Sequence, residues 1–162
     1  MEVAADLAAR LDELTFADLS ADAVTALLID AIAGWAGERG WRVYRRAASV
    51  LPLPPPMERQ HSVLDVAVAR PAGPPLAIEV DKTDRKRTVE KLIAEAAAGR
   101  IPIWVRWGTG KFTVPPSPVR LVPVEVTRHP GARFSRGPVP APPTHSGLGS
   151  DGDAVALPFP DA

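Results

Sequence analysis

Two stretches of the chain alternate with period two. In Ser62–Arg70, Leu64, Val66 and Val68 fall on one face, with Asp65, Ala67 and Ala69 on the other. In Leu76–Asp81, Leu76, Ile78 and Val80 share a face opposite Ala77, Glu79 and Asp81. Such alternation predicts half-buried strands, and Pro71-Ala72-Gly73-Pro74 between them is turn chemistry. Three other stretches carry apolar residues at helical spacing. Val3, Leu7, Leu11 and Leu14 predict a short helix over Glu2–Leu14 that pads the core or packs on a partner. Val24, Leu27, Leu28, Ala31 and Trp35 predict a longer one over Asp22–Arg39, stopped near Gly37 and Gly40. Val89, Leu92, Ile93, Ala96 and Ala97 predict a buried face for a helix over Thr83–Ala98, ended by Gly99. Trp41–Arg46 (WRVYRR), the apolar run Ile101–Trp107 (IPIWVRW) and Val119–Val126 complete the strands, the last at a sheet edge because of Pro123.

The hairpin matters most. If Ala69 pairs with Pro75, Asp65 lies directly opposite Glu79, with Asp81 next along on the same face. Opposed Cβ atoms sit roughly 4.5–5.5 Å apart. One face is then aliphatic, and the other gathers three carboxylates among alanines. Like charges opposed across a sheet repel, so the arrangement calls for a cation. A hard divalent ion with oxygen ligands suits it, Mg²⁺ or Mn²⁺. On this reading Glu79→Gln removes ion binding and relieves repulsion in the metal-free protein.

Directly after these acids Lys82, Arg85, Lys86 and Arg87 crowd a helix start, where the dipole prefers anions. A bound phosphate would suit both dipole and side chains; a solvated charge cluster is the plainer alternative. Arg42, Tyr44 and Arg46 share one face of the WRVYRR strand, where guanidinium groups and a ring can grip phosphate and stack on bases, or simply face water at an edge. His61, in a loop, and Asp30 and Glu38, on the second helix, are weaker candidates for ligands.

The totals narrow the class. Lysine plus arginine equals aspartate plus glutamate at 19 each in 162 residues, so attraction to nucleic acid must be local. Cysteine is absent, which excludes disulfides and thiolate-bound zinc. With no signal-peptide layout and no apolar run near membrane-spanning length, the expectation is a soluble cytoplasmic protein without a membrane partner. Nineteen prolines and twelve glycines cluster in particular places. Leu51–Pro56 (LPLPPP) reads as a polyproline-like connector. From His129 onward the composition predicts a disordered tail. The organisation is therefore an N-terminal helical extension (1–20), a core domain (21–128) and a tail (129–162).

An acid on one strand, E-x-D on the next, then a helix and a further strand resembles the PD-(D/E)xK nuclease superfamily. The local form AIEVD, a basic-polar stretch, a helix ending AAAGR and the strand IPIWVRW is similar to its very-short-patch-repair-like branch. The resemblance covers Asp22 to about Val126. It implies an α/β, restriction-endonuclease-like three-layer fold with an α-β-β-β-α-β core. It implies metal-dependent hydrolysis of phosphodiester bonds in nucleic acid, DNA rather than RNA. Asp65 and Glu79 would hold the metal, with Asp81 as third acid, and a homodimer is compatible with this. The chain departs at one point: Asp81 occupies the usual lysine position, which leaves the adjacent Lys82 as the candidate catalytic lysine, on the other face by alternation unless the strand has ended before it and lets it swing inward. Two alternatives stay open. One is an inactive nuclease-like module that binds nucleic acid or protein. The other is a small interaction protein acting through LPLPPP and the proline-rich tail.

Overall fold

The computed structural model describes residues 2–137. The element order is α1 (Val3–Leu11), β1 (Phe16–Leu19), α2 (Ala21–Glu38), β2 (Arg42–Pro52), β3 (His61–Ala69), β4 (Leu76–Asp81), α3 (Lys86–Ala97), β5 (Ile101–Gly108), β6 (Arg120–Glu125), β7 (Thr127–His129) and β8 (Arg133–Arg136). Among the described residues the fold is mixed α/β, with three helices and two sheets.

The larger sheet has the order β2-β3-β4-β5-β6. Its first three strands are antiparallel, and β4, β5 and β6 run parallel. Parallel neighbours need a crossover; α3 supplies the one between β4 and β5, and the irregular stretch 109–119 the one between β5 and β6. The hairpin has the register that the alternation predicts, with Val66 opposite Ile78, Ala67 opposite Ala77 and Val68 opposite Leu76. Pro123 sits in β6, an edge strand, where its missing N–H is tolerated.

Helices cover both faces. On one, α1 and α2 bury Leu7, Leu11, Leu28, Ile32 and Trp35 against Val66, Val68, Ile78 and Val105. On the other, Leu92 of α3 packs with Leu64, Ala77, Trp104 and Val119. Leu64 thus leaves the face predicted for it, that of Val66 and Val68. The change falls beside Arg46 of β2, whose φ of 53° interrupts the regular ladder between the Arg45–Val66 and Ala47–Leu64 pairs.

Other departures have physical causes. The disorder predicted from His129 does not hold for residues 129–137, since β8 pairs with β1 and β7 in a second sheet. Phe134 is buried there, edge-on to Trp107 with ring centroids 5.0 Å apart. Burial of one phenyl ring stabilises by about 1.5–3 kcal/mol, and Arg136 adds bonds to the carbonyls of Leu11, Asp12 and Leu14 at the end of α1. The rest of the predicted tail, 138–162, lies outside the described residues. The β2 strand continues to Pro52, into the stretch predicted to be polyproline-like.

The face of α3 departs furthest. Its buried residues are Thr88, Lys91, Leu92 and Glu95, a proper helical stripe at i, i+3, i+4 and i+7. Ile93, predicted to be inside, is exposed. The helix turns polar side chains to the sheet because polar groups await it there. No helix among the described residues is long and apolar enough to cross a membrane.

Candidate active site

The acids meet where two strands part. Past the Val66–Ile78 pair, side chains replace the main-chain ladder between β3 and β4. The Asp65 N–H donates to Glu79 Oε2 at 2.8 Å, and the Val80 N–H donates to Asp65 Oδ2 at 2.8 Å. Each carboxylate is thus held by the backbone of the opposite strand. Glu79 is 4% exposed. Its other oxygen, Oε1, accepts from Lys91 Nζ at 2.9 Å, and the same ammonium donates to the Val63 carbonyl at 2.7 Å. A buried carboxylate and a buried ammonium are tolerable only when paired and otherwise satisfied, and both conditions hold here.

Asp81 takes a different path. Its Oδ2 accepts from Thr88 Oγ1 of α3 at 2.8 Å and from the Trp104 indole N–H of β5 at 2.9 Å. Its Oδ1 lies 3.7 Å from Arg85 Nε. Among the described residues no group of three or more His, Cys, Asp or Glu side chains is arranged to hold a metal ion. Mg²⁺, however, usually binds through one or two carboxylates and keeps its waters or takes phosphate oxygens. Asp65 Oδ1 accepts no hydrogen bond among the described residues, and Asp81 Oδ1 has only the distant Arg85. The donor chemistry, hard and anionic, fits Mg²⁺ or Mn²⁺ in that mode.

Burial dominates the electrostatics of the two acids. Burial, and then the Asp65 charge, push the Glu79 carboxyl up to about 7 in spite of Lys91. Burial also raises Asp65; the Val80 N–H opposes the rise, Asp81 adds to it, and Lys91 and Arg46 lower it.

The remaining predicted residues divide. Lys82 Nζ lies 5.0 Å from the centroid of the Phe134 ring, a residue of the α1–α2 side of the core, so it does not join the acids. The reason is the strand alternation that puts successive side chains on opposite faces. Arg85 is the N-cap residue of α3 without a side-chain cap bond, and its side chain is 67% exposed. Lys86 is exposed at the first turn. Arg87 instead donates to the Pro52 carbonyl and faces Glu90, which ties α3 to the end of β2. Arg42 and Arg46 are exposed on β2. His61 donates Nδ1–H to the Ser49 carbonyl at 2.7 Å, at the start of β3. Asp30 pairs with Arg45 and Glu38 with Arg10, both on the surface.

Three residues that matter here escape a reading of the sequence. Lys91 supplies the cation at Glu79. Glu95, 2% exposed, accepts from Ser49 Oγ and the Val50 N–H and clamps the β2–β3 hairpin onto α3. Arg106, 6% exposed, donates to Asp84 and to the Lys82 carbonyl, which fixes the basic loop after the acids. The available signal is that Thr88, Lys91 and Glu95 recur at helical spacing opposite an acid-bearing strand. A comparison with family models, with characterised proteins and with solved structures returns no match.

Proposed function

We propose that this chain is a metal-dependent nuclease-like phosphodiesterase of the PD-(D/E)xK kind, acting on DNA before RNA. The observation that carries the reading is the Asp65–Glu79 pair: two carboxylates from adjacent antiparallel strands, brought together where the strands part and both held short of easy ionisation. The element order α2-β2-β3-β4-α3-β5 agrees with the core that the resemblance implies.

Asp65 and Glu79, with Asp81 at the rim, would hold Mg²⁺ or Mn²⁺. A bound ion supplies a water of lowered pKa and neutralises charge on the scissile phosphate. Lys91 orients Glu79 and partly offsets the burial that disfavours its charge, and stands in for the lysine that the E-x-D sequence lacks. Arg85 and Lys86, at the start of α3, would hold neighbouring phosphates and add affinity without reading sequence. Arg106 and Asp84 keep the loop that carries them in place.

The test is hydrolysis of labelled DNA and RNA, single-stranded and duplex, with Mg²⁺ or Mn²⁺, alongside calorimetric titration with Mn²⁺. Wild-type protein is expected to bind the ion and cut; Asp65→Asn is expected to lose both. A wild-type chain that does neither ends the catalytic reading.

One observation favours a second reading. Both Glu79 oxygens and one Asp65 oxygen are already bonded within the chain. In that case the acids are a strand clip in an inactive nuclease-like module. Nucleic acid then binds to wild type and Asp65→Asn alike, and nothing is cut.

A further inference from the structure

The free edge strand β2 carries a second set of chemistry beside the acids. The register sets Arg42 opposite Ala69 and Tyr44 opposite Ala67. Arg46 lies between the Arg45–Val66 and Ala47–Leu64 pairs, level with Asp65. Alternate residues of a regular strand share a face and lie about 6.5–7 Å apart, which puts Arg42 and Tyr44 in one row; Arg46, where a φ of 53° breaks the alternation, follows at the level of the acid pair.

Tyr44 is 46% exposed although its partner Ala67 could have been a larger, covering side chain. Beside it lies a cavity of about 160 Å³, lined by Ala48, Ala67, Ala69, Pro75 and Arg100 among others. A cavity of about 150 Å³ is enough for a benzene-sized ring. Its own charged lining residues, Glu95 and Arg100, pair with each other; Arg42 and Arg46, exposed on β2 to either side of Tyr44, join no ion pair among the described residues. The nearby Glu95 is buried and occupied by Ser49, Val50 and Arg100. An occupant that lies on Tyr44 and reaches both arginines combines a flat ring with anionic groups on either side.

We propose that this trough seats an unpaired base of a nucleic-acid strand against Tyr44, with Arg42 and Arg46 on the flanking phosphates, so that the strand presented to Asp65 and Glu79 is single-stranded. The proposal rests on the reading that this face meets nucleic acid. A base inside a duplex is stacked and paired and has no free face to offer, whereas unpaired bases stack readily on exposed aromatic rings.

The experiment is fluorescence anisotropy with the full chain in Ca²⁺. The probes are a labelled single-stranded oligonucleotide, the same strand with abasic residues, and the matching duplex. The base-bearing single strand is expected to bind about tenfold or more tightly than the abasic strand, on the scale of one stacked base, and more tightly than the duplex. Tyr44→Ala is expected to erase the difference between base-bearing and abasic strands, and Tyr44→Phe to keep it. Equal affinity for the two strands, preference for duplex, an unaffected Tyr44→Ala variant or no binding at all overturns the proposal. Base-dependent binding without hydrolysis in Mg²⁺ or Mn²⁺ keeps the trough and removes the catalytic reading. Hydrolysis without base dependence does the reverse.

Discussion

Lys91 Nζ lies 2.9 Å from Glu79 Oε1 and 2.7 Å from the Val63 carbonyl, so a single ammonium joins α3 to both β3 and β4. Removing one partner of a buried pair leaves the other uncompensated and typically costs about 3–5 kcal/mol. Lys91→Met is expected to destabilise the protein by that order in urea unfolding.

The same geometry reverses the sign expected for Glu79→Gln. Viewed as one of three crowded acids, Glu79 should be better neutral. In the fold it accepts two buried hydrogen bonds, from the Asp65 N–H and from Lys91. An amide can replace only one acceptor oxygen and leaves Lys91 without its counter-charge. Glu79→Gln is expected to lower stability by about 1–3 kcal/mol near pH 5, read by urea unfolding, and by less at pH 8, where the ionised wild-type carboxylate carries its own burial cost. Combined with Lys91→Met it should cost less than the two separate losses together.

Stability should depend on pH through the same group. Glu79 titrates at about 7 in the folded chain against an ordinary 4.5. Between these values the folded protein keeps a proton that the unfolded chain has released. The contribution is therefore full below about 4.5 and is lost as pH rises through 7, ~3 kcal/mol in all. Asp65, also raised, acts with the same sign. Urea unfolding from pH 4.5 to 8 should show this decline, with a flatter profile in Glu79→Gln. Saturating Mg²⁺ should restore more stability at pH 8 than at pH 5 if the acids hold it.

The three cations at the start of α3 should separate. Arg85→Gln and Lys86→Gln are each expected to weaken duplex DNA binding for all sequences and to reduce the salt slope by roughly 0.9 per lost phosphate contact. Thermal stability should not fall, because cations oppose the dipole at a helix N-terminus. Arg87→Gln is expected to lower stability with little change in slope, since Arg87 is bonded to Pro52. A uniform loss of salt slope across all three variants would contradict this division.

Arg46→Gly tests the backbone. A left-handed residue other than glycine costs about 1–2 kcal/mol, and Arg46 holds φ 53° in mid-strand. The variant is expected to unfold at higher urea concentration than wild type, by up to about that amount less the entropy that glycine adds to the unfolded chain, while losing affinity for single-stranded DNA.

The opposition of Asp65 and Glu79 was legible because period-two alternation specifies both register and face, and a short proline-glycine turn leaves little room for slippage. Lys91 was not, because a lysine in a charged helix is ordinarily solvated, and only the acids beneath α3 make it an inward residue. The same holds for Thr88 and Glu95, whose spacing is helical but whose polarity hides the stripe. Ile93 misled in the opposite sense. The short strands β1, β7 and β8 have three or four residues each, too few for a periodic signal. Their pairing depends on Phe134 and Arg136 reaching across the fold.

That reach has a consequence for synthesis. Asp18 N–H bonds to Ser135 Oγ, a partner 117 residues further along the chain. At roughly 5–20 residues per second, α1 and β1 wait on the order of ten seconds after leaving the ribosome before β8 follows. Throughout that interval the apolar side of α1, with Leu7 and Leu11, has no finished core to enter. The exposed apolar face of α1 should therefore stay accessible to a hydrophobic probe until β8 is made, and slowing translation between codons 20 and 130 should lengthen that interval.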